Sequence, residues 1–464
     1  MLMGASVLWG GCATLISFVV CALLVRFKLP YLSDSHMLAD TAAQQALHSK
    51  PTPRIGGAAV LLSFAVVLFL NRANIETDLL LAMLAGLVIF VAGLKEDICR
   101  NVSPRARLLA AMISAAVAMG LTAEFVPSLL PQLDPVFGFL LLPVLVTLIW
   151  SSGTCHAMNL IDGLNGLSSS YAMVASSAIV VIAMQTGDVD VQFTGLVLCA
   201  ALLGFFLLNW PFAKIFMGDA GAYAIGHALA WLGIVLMARN PQLSPLAMLL
   251  VLFWPVADTA FSIMRRWMLK KAINQPDRMH FHHIMIRLLA RLTGKRHSGP
   301  DLNPLATLAL MPFFAAPAVL GVVFWNSPLL ALLALVVFTA LFMLSYWAAV
   351  GVLATRKASK PLLAEKPLAQ AGLATADVSA LGGMYVKEAV SIDVRILRMT
   401  PQGPWQLITQ SGARADRKWS RHFRTDEEAW LFFLRTVEVD GVASVLGDPK
   451  IVPFKQPEPQ LQAS

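Results

Sequence analysis

Charge is what this chain has least of. Asp, Glu, Lys and Arg make up 13% of its 464 residues, against roughly 25% in a soluble globular domain. With 57% hydrophobic residues and a mean hydropathy of +0.69, a water-soluble fold is excluded and a polytopic membrane protein is left. Cysteine is also scarce: Cys12, Cys21, Cys99, Cys155 and Cys199 have no paired spacing, so neither a disulfide framework nor a zinc motif is written here. No His-Glu-x-x-His pattern occurs, no clear internal repeat is visible, and no charged residue stands between Asp78 and Lys95. No basic stretch precedes the first apolar run, whereas Arg26 and Lys28 follow it. That run therefore reads as a retained anchor, N-out and C-in, rather than a cleaved signal peptide.

What is present is a series of apolar runs of spanning length. A membrane-crossing helix needs about 20 mostly apolar residues. Eleven candidates lie near residues 6–25, 57–71, 79–94, 106–122, 136–151, 167–185, 191–208, 220–237, 243–263, 305–325 and 331–353. The fold expected is an all-α polytopic membrane domain over 1–354, a linker over 355–383 and a small cytoplasmic α+β module with a disordered tail over 384–464. In the module, Val390 to Ile396 alternates apolar and polar residues as a strand does, and Trp405 to Thr409 reads as a second strand. Thr425-Asp426-Glu427-Glu428 opens a helix with an N-cap and an acidic first turn.

Five polar segments interrupt the apolar runs, and each follows an odd-numbered span: Lys50 to Arg54, Lys95 to Asp97, Asn159 to Gly166, Lys214 to Asp219, and Asp277 to His283. Spans alternate sides, so all five lie on one face. Up to residue 304, 18 Lys and Arg border the loops of that face, Arg107 among them, and only Arg72 and Arg239 lie opposite. The positive-inside rule then places the motif face in the cytoplasm. The net charge of +8 concentrated there suits anionic headgroups and a phosphorylated substrate.

Each segment has a bland reading and a chemical one. Asn159, Asp162 and Asn165 are spaced by three, so they line one face if the helix continues, and Gly163 and Gly166 permit close approach. Glu96-Asp97 is an adjacent acidic pair suited to a hard divalent cation, or to dividing metal and base roles. Asp219 sits between glycines at a helix start, where backbone N–H groups hold phosphate and the carboxylate holds metal; as a simple N-cap it needs no function at all. His280, His282 and His283 with Arg278 suit contact with a pyrophosphate. Asp258 is an expensive acid within an apolar stretch, with Arg265 and Arg266 two turns on as candidate partners. Lys50-Pro51-Thr52-Pro53-Arg54 leads stiffly into the second span.

Taken in order over roughly residues 45–290, these segments resemble the bacterial polyprenyl-phosphate N-acetylhexosamine-1-phosphate transferases. That family carries an Asp-Asp pair, Asn-x-x-Asp-Gly-x-Asp-Gly, Met-Gly-Asp-x-Gly-Ser and a His-x-His-His loop. The resemblance implies an enzyme of the bacterial inner membrane. It transfers a sugar 1-phosphate from a UDP-N-acetylhexosamine to undecaprenyl phosphate, releasing UMP, and initiates a cell-surface glycan. It further implies Mg2+, with Mn2+ as a substitute, held by Asp219 and Asp97. The catalytic set implied is Glu96, Asp97, Asp162, Asp219, His280, His282 and His283; Lys50, Arg54, Asn159, Gly163, Asn165 and Arg278 are implied to bind substrate. Membrane lipids and a homodimer are the further partners expected, and no nucleic acid.

Three residues depart from the pattern: Glu96 for the first Asp, Asn165 for the second Asp of the Asp-Gly pair of motifs, and Ala222 for Ser. A transporter or flippase is a second reading of intramembrane acids. A non-catalytic relative, suggested by Glu96 and Asn165, is a third.

Overall fold

The structure is a computed structural model. It describes residues 2–27, 52–127, 141–270, 277, 279–294, 302–354 and, in the C-terminal part, 377–379, 381, 383–387, 390–398, 400, 402–411, 417–439 and 445–446. The chain divides into two compact units, Met1–Arg356 and Lys357–Ser464.

The regular elements among the described residues of the first unit are helices: α1 (Leu2–Phe27), α2 (Gly56–Leu70), α3 (Thr77–Ala85), α4 (Leu87–Cys99), α5 (Pro104–Thr122), α6 (Leu141–Ile161), α7 (Leu167–Thr186), α8 (Val189–Asn209), α9 (Gly218–Arg239), α10 (Pro245–Val251), α11 (Phe253–Met268), α12 (Phe281–Thr293), α13 (Leu302–Val323) and α14 (Pro328–Ala354). Among the described residues 9 spans are long and apolar enough to cross a membrane, α3 and α4 together forming one of them, and the α10–α11 pair makes up to 10. The 15-residue α2 is the shorter apolar helix. At about 1.5 Å per residue it reaches roughly 22 Å, less than a hydrocarbon core of about 30 Å. Each of the eleven apolar runs thus falls on a helix or a broken helix.

Three expectations about these helices need correction. The fifth span runs on to Ile161 rather than ending at 151, so Asn159 is in its last turn and not in a loop. The ninth is two helices bent by 86° at Leu252. The segment between the ninth and tenth spans contains α12, an amphipathic helix that begins at the histidines.

The axis of the bundle is α9, whose residues Gly218 to Met237 are all buried. Its sequence is rich in Gly and Ala, and small residues let helix backbones meet closely where lipid supplies no hydrophobic drive between helices. A side chain at Gly57 would fall on the Gly221 backbone, and one at Gly93 on the Ala220 backbone, so α2 and α4 both lie directly against the first turn of α9. Deeper along α9, buried His227 is satisfied by Ser114 Oγ at 3.1 Å and the Ala82 carbonyl at 2.9 Å. At its far end Arg239 gathers Asp78, Asp188 and Glu76.

Among its described residues the second unit is an antiparallel sheet with one helix. Strands β1 (Asp377–Val378), β2 (Gly383–Lys387), β3 (Val390–Arg398), β4 (Trp405–Gln410) and β5 (Arg417–Phe423) are ordered β1-β3-β4-β5, with β2 also paired to β3. The helix α15 (Asp426–Val439) packs Ala429, Phe433 and Val437 into one cluster with Ile392, Val394, Ile396, Leu407 and Phe423 of the sheet. Its start is as read from sequence: Thr425 Oγ accepts the Glu428 N–H at 3.1 Å. The sheet begins at Asp377, within the stretch expected to be linker; most of that stretch and the tail lie outside the described residues.

Candidate active site

The site is built at the helix ends. A helix start leaves its first N–H groups without intrahelical partners. The N-cap of α9, Met217, offers no side-chain bond. The missing acceptor comes from α4: Asp97 takes the Asp219 N–H on one oxygen at 2.8 Å and the Ala220 N–H on the other at 2.9 Å. A carboxylate at the positive end of a helix is favourable. The approach is tightened by a backbone ladder between the α2 and α9 entrances, Phe216 N–H to Pro53 O (2.8 Å), Gly56 N–H to Phe216 O (2.9 Å) and Gly57 N–H to Met217 O (2.8 Å). Gly218 turns the corner at φ 79°, in the left-handed region that side chains avoid.

Asp219 is thereby fixed, 7% exposed, where four other elements converge. Its Oδ2 is ion-paired with Arg107 from the first turn of α5. Its Oδ1 accepts from Asn159 Nδ2 at 3.0 Å and lies 3.7 Å from Arg54 Nη2. Ser103 caps α5 by accepting the Ala106 N–H at 3.2 Å, and this positions Arg107. The Arg107 guanidinium lies 5.9 Å from the Tyr223 ring centroid, and Tyr223 meets the His156 ring edge-on at 5.0 Å. Buried Arg107 Nε and His156 Nε2 make no hydrogen bond.

Glu96 closes the α4–α5 turn, its Oε2 accepting the Val102 N–H at 2.8 Å, and its charge also reaches Arg107. The expected face of Asn159, Asp162 and Asn165 does not form, because α6 ends at Ile161. Asp162 follows in the turn, partly buried, and accepts a bond from Ser168 Oγ. Burial pushes its carboxyl up to about 6, with Asp219 adding to the rise and Ser168 and Arg54 opposing it. Asn165 faces α13 instead: its N–H donates to Asn303 Oδ1 at 2.6 Å and its carbonyl accepts from Thr307 at 2.7 Å. It is thus held through its own backbone N–H and carbonyl.

The histidines meet the same turn from the other side. Asp258, Ser262 and Arg265 recur at helical spacing on α11 and hold the chain that leads into α12. Ser262 donates to Asp277 at 2.6 Å, Arg265 pairs with Asp277, and both Arg265 and Tyr346 donate to the Met279 carbonyl at 3.0 Å. The partner of Asp258 is therefore neither expected arginine: it is His280, Nδ1 to Oδ2 at 2.8 Å, with the Phe281 N–H on Oδ1 at 3.0 Å. His280 is the N-cap of α12, and His282 and His283 lie in its first turn. His280 and His282 stack with centroids 5.8 Å apart, and His282 and His283 lie at 4.2 Å. His282 faces Gly163 so closely that a side chain there would come 2.7 Å from Nε2, and neither of its buried ring nitrogens has a partner.

The electrostatics of the cluster are uneven. Burial alone lowers a histidine, yet the bond and charge of Asp258 raise His280 above its ordinary value. Burial and the charge of its neighbours push His283 down to about 4 and His282 well below the ordinary range. Asp277 is held low: burial raises it, but Ser262, the Met279 N–H and Arg265 outweigh that.

The structure thus joins Arg54, Asp97, Asn159 and Asp219 in one knot, sets Asp162 and Gly163 beside it, and brings His282 onto Gly163. Lys50 and Arg278 lie outside the described residues. His156 and Tyr223 stand in no motif of the sequence, and Arg107 stands there only as one of the cations of the motif face. Arg107 did carry a signal: a cation in a helix's first turn opposes the helix dipole, which asks for a carboxylate partner.

Comparison with known proteins follows the same residues. The glycosyl transferase family 4 profile matches residues 79–237, α3 through most of α9. A probable undecaprenyl-phosphate N-acetylglucosaminyl 1-phosphate transferase of Bacillus subtilis is 30% identical over 283 residues, covering 59% of this chain and 77% of the relative. A phospho-N-acetylmuramoyl-pentapeptide-transferase of Halalkalibacterium halodurans is 29% identical over 246 residues (49% and 74%). A decaprenyl-phosphate N-acetylglucosaminephosphotransferase of Mycobacterium tuberculosis is 29% identical over 276 residues (53% and 68%). The knot around Asp219 and these matches agree: the chain belongs to the glycosyl transferase family 4, the polyprenyl-phosphate N-acetylhexosamine-1-phosphate transferases, membrane enzymes that move a sugar phosphate onto polyprenyl phosphate.

Proposed function

We propose that this enzyme transfers N-acetylhexosamine 1-phosphate from a UDP-N-acetylhexosamine to undecaprenyl phosphate on the cytoplasmic side of the bacterial inner membrane, as the first step of a cell-surface glycan such as O-antigen or exopolysaccharide. The observation that carries the reading is Asp219, fixed by Asp97 and ringed by Arg54, Arg107 and Asn159. That end of the bundle also bears the basic excess, which supports the cytoplasmic assignment.

In the proposed reaction an oxygen of the lipid phosphate bonds to the sugar-bearing phosphorus, the bridge between the two donor phosphates breaks, and UMP leaves with the bridging oxygen. A phosphate monoester is already largely ionised near neutrality, with a second pKa of about 6. The nucleophile therefore needs placement and charge neutralisation more than a base. Arg107 and Arg54 supply positive charge beside Asp219, and the His280 ring supplies a further donor. Asn159 orients the carboxylate, and the α9 start presents N–H groups, two of which Asp97 already holds.

The donor set fits Mg2+. Among the described residues no three His, Cys, Asp or Glu converge on one point, which does not suit a closed protein cage. Mg2+ is typically held by one or two carboxylates plus water and substrate phosphate, and Asp219 with the remaining lone pairs of Asp97 meets that need. Arg107 now neutralises Asp219 in the way a cation does. Mg2+, when bound, would draw charge from the phosphates; Asp219 and Asp97 would hold it. The test is UMP release from a panel of UDP-sugars by purified protein, with and without undecaprenyl phosphate. Release that ignores the lipid, or none across the panel, overturns the reading.

A further inference from the structure

One buried acid is not used by this scheme. Asp258 sits in α11, 1% exposed, and both its oxygens are committed to the start of α12: one to His280 Nδ1 at 2.8 Å, the other to the Phe281 N–H at 3.0 Å. An imidazole held at Nδ1 by a carboxylate has its ring plane fixed and its second nitrogen, Nε2, directed away from that carboxylate. A carboxylate behind a histidine orients the ring and stabilises its cationic form without taking the proton. The other groups facing His280 are Asp277, Arg265, His282 and His283. Asp277 is itself paired with Arg265, so Asp258 is the carboxylate bonded to the ring.

We propose that Asp258 is a positioning residue for sugar-phosphate transfer: from within α11 it orients the His280 ring and supplies the counter-charge that makes Nε2–H a cationic donor to the substrate diphosphate. The histidine cluster then presents one charged ring and two neutral ones. Three charged rings within stacking distance would repel, whereas one charge matches a substrate that also meets Arg54 and Arg107. The inference rests on the donor-substrate reading above.

Asp258→Asn separates the two jobs of the carboxylate. The Asn oxygen still accepts the Phe281 N–H, but the amide N–H2 faces Nδ1, so His280 keeps its place and loses its counter-charge. Losing one charge-assisted bond is expected to lower kcat/KM about 10- to 100-fold at pH 7.5. The loss should shrink as pH falls, because protonation is restored; Asp258→Glu should recover part of the activity. In a His280→Gln background, Asp258→Asn should cost less than about twofold, since a positioning residue has nothing left to position. A second arm needs no turnover: in full-length protein labelled with 15N-histidine, the His280 titration midpoint should fall on Asp258→Asn.

An equal loss in both backgrounds and at every pH means Asp258 is merely structural, and the proposal fails. An unmoved His280 midpoint overturns it as well. If wild type itself releases no UMP, the substrate reading fails, while the titration still decides whether Asp258 controls His280.

Discussion

Asp97→Asn is the substitution on which this structure makes its sharpest demand. Two N–H groups at the buried start of α9 have this one carboxylate as acceptor, at 2.8 and 2.9 Å. Hydrogen bonds to a charged group contribute about 1.5–3 kcal/mol each. Asn keeps one acceptor and turns an N–H2 toward the other donor, so one bond is lost and the second falls to neutral strength. Loss of the anion at the helix end adds about 0.3–1 kcal/mol. Relief of repulsion with the neighbouring Asp219 returns part of this, about 1 kcal/mol at a partly screened site. The net is about 2–4 kcal/mol of local stability, and it falls on the turn that holds Asp219. Hydrogen exchange of the amides from Phe216 to Ala222, in protein held in lipid nanodiscs, should accelerate about 30- to 1000-fold. UMP release should fall in parallel. Activity lost with exchange unchanged would mean that Asp97 serves substrate or metal alone. Exchange accelerated with activity intact would mean that α9 need not be fixed. Either result refutes the argument.

Three further outcomes follow from the same geometry. Gly163→Ala would place a methyl 2.7 Å from His282 Nε2; it should lower activity at least tenfold while the thermal midpoint moves little, because Gly163 itself is exposed. Arg107→Met leaves the Asp219 charge short of its ion pair and should cost about 100-fold or more in kcat/KM, a buried pair broken on one side being worth about 3–5 kcal/mol; Arg107→Lys should retain measurable activity. Asp162, raised to about 6 in the folded protein from about 3.9 unfolded, binds more protons folded than unfolded between those values. Stability should therefore fall as pH rises from about 4 to 6, and Asp162→Asn should flatten the thermal midpoint over that window.

Much of the fold was legible because hydrophobic length is a strong local signal. Eleven apolar runs became eleven crossing or near-crossing segments, and the strand alternation of Val390 to Ile396 and the cap at Thr425 fell where the pattern put them. Ends were less legible. Nothing local says that α6 continues to Ile161, or that Leu252 breaks a span by 86°. The site was legible as a set of motifs and not as contacts. Asp97 and Asp219 are 122 residues apart in the chain, and no spacing rule says that the first holds the backbone of the second. Charge alone suggested arginine for Asp258, yet the structure gives it a histidine, because α11 and α12 are adjacent and the arginine is taken by Asp277. Glu96 bonds the Val102 backbone N–H and its charge also reaches Arg107, while Asn165 is held through its own backbone N–H and carbonyl, arrangements that no spacing in the sequence announces.

The central claim is sugar-phosphate transfer at the Asp219 knot. Its most direct test is quantitative UMP release by purified wild-type and Asp219→Asn protein, given UDP-N-acetylhexosamines and undecaprenyl phosphate, with Mg2+ and with EDTA. The account predicts release from wild type that requires both lipid and Mg2+, stops with EDTA, and drops at least 1000-fold in Asp219→Asn with the fold intact. Undiminished release by Asp219→Asn would contradict it.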